Sequence, residues 1–354
     1  MTENTLDAQP ECPSSGEACN LPPITAKEIT NCSFNVWYPL FKPHSIRSWA
    51  ITLEPKVLDY LNSDTIIVPS QFSSKGEDQE ISQLSDDELD GGSRLYNIGA
   101  TTNSHEDSSD SESEEDGYVY LEQLNEEVRQ AVSALGGEVF PKLNWSAPKD
   151  AQWIAPTKNL RCRDLSDILL LLKSSDDVAH DLSRAFDLCP SAPEEKPATV
   201  LVLKQWCNID PAMEFRCFVI RGKLVGISQR DTNHYPFLQE EAAWLKPSIT
   251  EYISDKVIPV FPNLHYAVDI CIVHSSRTIK IIDFNPASPI THPLLFEWSE
   301  LLQAQTTLWR VIRDTGHGQQ AQAQRLRSNQ APADLANLGS SDLQDAIQQL
   351  SLLS

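Results

Sequence analysis

Apolar positions along the chain follow two periods, and the changes of period mark out the elements. Tyr266-Ala-Val-Asp-Ile-Cys-Ile-Val273 and Ile279-Lys-Ile-Ile-Asp-Phe-Asn285 are short and rich in β-branched residues, which predicts two strands. His274-Ser-Ser-Arg-Thr278 between them is short enough for a hairpin loop. Residues 214–220 and 224–229 read as a second hairpin around Arg221-Gly-Lys223, and residues 50–53, 65–68 and 199–206 as further strands. Helical spacing appears at Leu121, Leu124, Val128 and Val132 and stops at Gly136-Gly137. Shorter helices are expected at 54–61, with Pro55 in the first turn, and at 165–173 and 175–186. Residues 242–256 read as helical, and 294–313 as the last long helix. Hairpins dominate over regular β-α-β units, so the expected class is α+β with antiparallel sheets.

Charge and composition divide the 354 residues more sharply than hydropathy does. The formal net charge is -22, and residues 76–116 alone hold fourteen Asp or Glu against one Arg, which is -13 of it. Residues 71–117 are therefore expected to be an acidic, disordered insertion, with serines in acidic strings that suit phosphorylation but are more simply a solvated linker. Residues 1–30 are polar and read as a loose leader, 31–70 and 118–315 as the folded domain, and 316–354 as a flexible tail. Within that tail, residues 341–350 carry a capping-box pattern and predict a short helix. Without a basic excess, nucleic acid is not an expected partner. Residues 1–10 lack the apolar core of a signal peptide, and no run reaches the length of a membrane span. Eight cysteines form no C-x-x-C pair, and Cys217 and Cys271 lie in apolar runs as small buried hydrophobes. A soluble protein of a reducing compartment, the cytoplasm, is the simplest reading.

Against this background Asp269, Asp283 and Asn285 stand out, because an Asp inside an apolar strand is costly without a partner. Side chains alternate along a strand, so Asp283 and Asn285 share a face. With Asp269 on the same face of the neighbouring strand, two carboxylates and an amide oxygen converge, a hard donor set that suits Mg2+ together with nucleotide phosphates. Glu214 and Arg216 share one face of their strand, and Arg230 follows across the hairpin, which supplies cations for a polyphosphate. Phe140-Pro-Lys-Leu-Asn-Trp-Ser-Ala-Pro-Lys149 reads either as a loop for an anionic planar ligand, with Lys142 on a phosphate, or as a turn with a surface lysine. Leu201-Val-Leu-Lys-Gln-Trp-Cys207 is either an edge strand or a strand end offering backbone groups to an adenine. No P-loop, G-x-S-x-G or H-E-x-x-H occurs, and His234, His265 and His292 read as ordinary surface residues.

Taken together these strings resemble the cell-division-cycle protein 123 family, also called D123. The resemblance rests on Val36-Trp-Tyr-Pro-Leu-Phe41, Phe140-Pro-Lys-Leu-Asn-Trp-Ser-Ala-Pro148, Glu214-Phe-Arg-Cys-Phe218, Gly226-Ile-Ser-Gln-Arg-Asp231 and Ile282-Asp-Phe-Asn-Pro286. It implies an ATP-grasp-like fold, in which two α+β subdomains hold ATP·Mg2+ between antiparallel sheets. It places Mg2+ on Asp269, Asp283 and Asn285, and the phosphates on Lys142, Lys149, Arg216 and Arg230. The adenine and ribose fall near Gln205, Trp206, Cys207 and Glu214, and Trp145 and Ala147 join the nucleotide contacts. Lys149 stands where the family often has Arg, Gln205 where a basic residue is common, and Pro286-Ala-Ser288 where Pro-Phe-Gly is common. For function the resemblance implies an assembly chaperone, monomeric when free. It would bind the gamma subunit of eukaryotic translation initiation factor 2 and promote its joining to the alpha subunit. Heterotrimer assembly would then support translation initiation and cell-cycle progression. The alternative with the same ATP·Mg2+ site is an ATP-grasp ligase activating a carboxylate through an acyl phosphate. That reading needs a second pocket, for which no residue set is evident. A kinase would need a glycine-rich loop and an H-R-D catalytic loop, and the chain has neither.

Overall fold

The computed structural model describes residues 21–63, 72, 119–194 and 196–319. The expected strand at 65–68, nearly all of the acidic stretch and the expected tail helix at 341–350 lie outside the described residues. The chain divides into two units. Met1–Ile46, Phe186–Pro197 and Asn208–Ser354 form the first, and Arg47–Ala185 with Ala198–Cys207 the second. Among the described residues no helix is long and apolar enough to cross a membrane.

The first unit begins inside the stretch expected to be a loose leader. Thr25 and Glu28 close a reciprocal capping box on α1 (Ala26–Asn31). Ile29 is buried, and Asn31 Nδ2 donates to Asn263 Oδ1 at 2.7 Å. The polar composition that reads as a leader is thus, from Thr25 onward, a cap and an amide pair. Next, α2 (Phe34–Phe41) buries Phe34, Trp37 and Phe41.

The second unit is a three-stranded sheet with helices. It comprises β1 (Ser48–Thr52), α3 (Pro55–Asn62), α4 (Val119–Ala134), β2 (Val139–Lys142), α5 (Leu165–Lys173), α6 (Asp176–Ser183) and β3 (Val200–Gln205). Its order is β1-β3-β2, both pairs antiparallel. As expected, α4 stops at Gly136 and Gly137, which adopt positive φ while the Gly137 N–H caps the Val132 carbonyl. Leu201 and Leu203 of β3 join Val139, Val57, Leu121, Val128, Leu165 and Ile168 in one core. The alternate positions of β3, Val202 and Lys204, therefore face the other way.

The first unit resumes with β4 (Glu214–Ile220) and β5 (Lys223–Gln229). Arg221 and Gly222 join them at φ 53° and 68°, the two-residue turn that matches strand twist. Then follow α7 (Phe237–Glu240), α8 (Ala242–Tyr252) with a single π turn after it, β6 (Tyr266–Val273), β7 (Thr278–Pro286), α9 (Trp298–Gln303) and β8 (Leu308–Arg310). The sheet order is β7-β6-β4-β5-β8. The expected long helix over 294–313 is corrected: α9 spans only Trp298–Gln303, and Leu308–Arg310, flanked by the β-branched Thr306, Thr307, Val311 and Ile312, becomes β8, parallel to β5. Two contacts hold that edge, Thr307 Oγ1 to the Leu224 carbonyl at 2.8 Å and the Ile312 N–H to Gln229 Oε1 at 2.9 Å. The class is α+β, with this one parallel pair in an otherwise antiparallel pair of sheets.

Each face of the five-stranded sheet has its own packing. On one, Phe218, Ala267, Phe296, Trp298 and Leu301 cluster. On the other, Phe284 stacks on Phe261 at 4.1 Å and meets Trp37 and Phe41, each at 5.2 Å between ring centroids. Gly226 sits where α9 approaches the first face: an added β-carbon would lie 2.6 Å from Leu301 Cδ2 and 3.2 Å from Phe296 Cε2. Gly226→Val is therefore expected to cost about 1–3 kcal/mol through overpacking. Urea denaturation reads it, and an unchanged midpoint would contradict the close approach.

Candidate functional site

Alternation places Asp283 and Asn285 on the opposite face of β7 from Phe284. Asp283 is the register partner of Asp269, and Asp269 is also the partner of Arg216 on β4. A β-bulge follows directly at Asp269/Ile270 and lets Ile282 slip out of register. The same row continues through Ser228 of β5 to Arg310 of β8. Five strands thus present Asp283, Asp269, Arg216, Ser228 and Arg310 side by side.

The charges in this row are paired at close range. Arg216 grips Asp269 in a bidentate fork, Nε to Oδ1 at 2.7 Å and Nη2 to Oδ2 at 2.8 Å. Its third nitrogen, Nη1, donates to the His292 carbonyl at 2.9 Å. Both partners are buried, Asp269 at 2% exposure and Arg216 at 6%. Arg230 donates from Nη1 to Glu214 Oε2 at 3.3 Å. Its Nε also lies 3.3 Å from Asp269 Oδ2, close enough for ion pairing but not aligned as a hydrogen bond. Burial opposes the charge on Arg230, yet Asp269, Glu214 and Asp283 outweigh it and hold the guanidinium above its ordinary range. Asn285 Nδ2 reaches Asp269 Oδ2 at 3.3 Å, and Asp283 Oδ1 accepts from the Phe284 N–H.

Three carboxylates (Glu214, Asp269, Asp283) and two guanidiniums (Arg216, Arg230) leave this group one negative charge in excess. Asn285 meets Asp269 through its amide nitrogen, and a hard divalent cation would use that amide's oxygen together with the Asp269 and Asp283 carboxylates. Among the described residues no three His, Cys, Asp or Glu side chains gather as a metal cluster. The set here is two carboxylates and one amide.

The remaining expected residues belong to the second unit. Lys142 ends β2 opposite Val202 and is buried at 1% exposure, which excludes the surface-lysine reading of its string. Trp145 and Ala147 are half-buried in the turn after it, which the Leu143 N–H closes on the Ser146 carbonyl at 2.9 Å. Lys149 is exposed and opens a 3-10 turn, Lys149–Ile154. Gln205 ends β3, its N–H bonded to the Arg47 carbonyl. Trp206 follows with its N–H on the Glu138 carbonyl, and Cys207 is exposed. Glu214, expected with Gln205 and Trp206, stands in the first unit beside Arg230.

Sequence reasoning missed two side chains here. Lys204, at 3% exposure, shares the face of β3 that carries Val202, and so lies diagonally across from Lys142. A lysine inside Leu201-Val-Leu-Lys204 was the available signal, by the burial argument that singled out Asp269. Asn144, also buried, pins the string to β3: its Nδ2 donates to the Ala198 carbonyl and its Oδ1 accepts from the Val200 N–H. The three histidines expected at the surface are half-buried instead. Burial lowers the His265 pKa, and Arg221 adds to the shift against the opposing Glu28.

Three comparisons bear on this arrangement. A family model described as D123 matches residues 37–339. A Sclerotinia sclerotiorum protein called "Translation initiation factor eIF2 assembly protein" is 38% identical over 284 residues, covering 79% of this chain and 66% of that one. A Xenopus laevis protein of the same name is 39% identical over 287 residues, covering 78% of each. The solved structure "Structure of Cdc123 from Schizosaccharomyces pombe" matches with a TM-score of 0.63 at 31% identity, over 82% of this chain and 98% of that one.

Proposed function

The chain belongs to the D123 family, and from that premise we propose that it is an ATP- and Mg2+-binding assembly factor for eukaryotic translation initiation factor 2. It binds the gamma subunit and promotes its joining to the alpha subunit, acting in the cytoplasm as a monomer when free. The names of the relatives support the assembly role. The observation that supports the nucleotide site is the row Asp283–Asp269–Arg216 with Arg230 and Glu214 beside it, three carboxylates against two guanidiniums and so one positive charge short of balance.

Asp269, Asp283 and Asn285 would hold the metal, which would supply positive charge against the phosphates. Arg216, held flat by Asp269 and the His292 carbonyl, presents a preset guanidinium. Arg230 is held less tightly and is free in geometry to turn toward a phosphate. Lys142, with Lys204 on the same face and Lys149 at the turn, supplies further charge for phosphates. Trp145, Ala147, Gln205, Trp206 and Cys207 take the base and sugar side, and Glu214 the ribose.

Two measurements test this. Asp283→Ala is expected to weaken ATP·Mg2+ binding about tenfold or more, roughly 1.4 kcal/mol, in calorimetric titration. Asp283 is half-buried, and circular dichroism checks that the variant is folded; unchanged affinity in the folded variant would remove the metal assignment. In the second, the purified chain is mixed with isolated gamma and alpha subunits, with and without ATP·Mg2+. Capture of gamma alone, and faster gamma–alpha joining, are expected; no capture of gamma would overturn the partner.

A further inference from the structure

Helix α6 and the string 140–149 clamp each other at two points. At the start of α6, Asp150 from the string's end accepts from Ser175 Oγ at 2.6 Å, the Asp176 N–H at 2.7 Å and the Asp177 N–H at 3.3 Å. A carboxylate suits that place, because the first N–H groups of a helix lack intrahelical partners. Toward the end of α6 the direction reverses. Asp181 Oδ2 accepts from the Ser146 N–H at 2.6 Å and the Trp145 N–H at 3.3 Å, and Oδ1 from Ser146 Oγ at 2.8 Å.

A carboxylate late in a helix is ordinarily unfavourable, since the macrodipole there is negative. Helix propensity and packing give no reason for Asp at 181. The three donors from Trp145 and Ser146 do, and they all come from the turn that follows Lys142. One carboxylate taking two consecutive backbone N–H groups and a hydroxyl sets the orientation of both residues. Asn144 holds the other side of the same turn to β3.

We infer that Asp181 is a positioning residue for nucleotide binding: it holds the Trp145–Ser146 turn so that Lys142, Trp145 and Ala147 present one fixed surface to ATP. This rests on the nucleotide site proposed above. The string needs such a fixture because it carries an indole and a lysine on a loop, where side-chain and backbone freedom would otherwise oppose binding.

The electrostatics give the fixture a pH dependence. Asp181 keeps some accessible surface but is enclosed by protein on most sides, and burial pushes its carboxyl up to about 6 against the lowering effect of the Ser146 bonds and of Lys142. Lys142 from β2 and Asp177 on α6 act on Asp181, His180 and the C-cap Arg184 are its charged neighbours along the helix, and Lys149, Asp150 and Asp176 act on Asp177. Asp177 is pushed up to about 6 as well, by burial and then by Asp150 and Asp181, so it requires its own control. Protonation of Asp181 removes acceptor capacity, so the turn loosens as pH falls through about 6.

The test is ATP·Mg2+ affinity of the full chain from pH 8 to pH 5, for wild type, Asp181→Ala, Asp181→Asn and Asp177→Asn. At pH 7.5 Asp181→Ala is expected to bind about tenfold more weakly or worse. Asp181→Asn mimics the protonated acid, keeping one carbonyl-type oxygen, and is expected to bind at pH 7.5 more tightly than Asp181→Ala but no more tightly than wild type does near pH 5. The terminal phosphate of ATP titrates in the same range, so the difference between wild type and Asp181→Asn is what is read. Wild type is expected to lose extra affinity toward pH 5, Asp181→Asn to lack that extra loss, and Asp177→Asn to keep it. Should Asp181→Ala fail to fold, the Asp181→Asn profile decides. Wild-type affinity in Asp181→Ala, or the same acid loss in Asp181→Asn, would overturn the inference alone. Absence of ATP·Mg2+ binding by the wild type would overturn the nucleotide site with it.

Discussion

Arg216→Ala is expected to lower the unfolding free energy by about 3–5 kcal/mol, because it leaves the Asp269 carboxylate buried without its bidentate partner. Asp269 has almost no access to water, and Arg216 donates to both of its oxygens at 2.7 and 2.8 Å. Arg230 Nε and Asn285 Nδ2, each at 3.3 Å, compensate only in part. The loss therefore belongs toward the lower end of that range. Arg216→Met with Asp269→Leu removes both charges at similar volume, and is expected to recover most of the stability while ATP·Mg2+ binding stays lost. Urea denaturation of both variants checks this. If the double variant is no more stable than the single one, the penalty is lost packing and not an uncompensated charge.

Phe284→Ala is expected to cost a similar amount, about 3–5 kcal/mol, through a cavity among aromatic rings. Phe284 is fully buried, stacked on Phe261 and ringed by Trp37, Phe41 and Tyr266. It also separates Asp283 from Asn285 along β7, so its ring anchors the strand that carries two metal-ligand candidates. Weaker ATP·Mg2+ binding is expected at temperatures where the variant is still folded, with Phe284→Leu intermediate in both properties. Thermal denaturation together with calorimetric titration reads the two effects. Lost stability with undiminished affinity would separate the ring from the site.

Much of the candidate site was legible because strand alternation is local. An Asp in an apolar strand and an Asp-x-Asn at the end of the next one identify a polar face before any partner is known. The same argument applied to Lys204 would have found it, but that strand was read for its backbone edge. The misread region, 294–313, contains enough apolar residues for either element. Trp298–Gln303 within it does form α9, and Leu308–Arg310 becomes a strand because β5 offers an edge. No local propensity contains that edge. The clamp between Asp181 and Ser146 was equally invisible, since 35 residues separate the two and Asp181 belongs to no motif.

The sequence by itself determined most strands and turns, β8 excepted, which side chains share a face, and membership of the family. Those follow from backbone geometry and from the order of the motifs along the chain. Only the tertiary structure decided that β4 lies between β5 and β6, which sets Arg216 against Asp269 and brings Arg230 to Glu214. Only the tertiary structure set a helix carboxylate under the loop after Lys142. The physical reason is that side-chain direction is fixed within a residue or two, whereas pairing depends on distant segments closing against one another. That closure is settled by burying the apolar faces of the whole unit, and the charged row is oriented as a consequence.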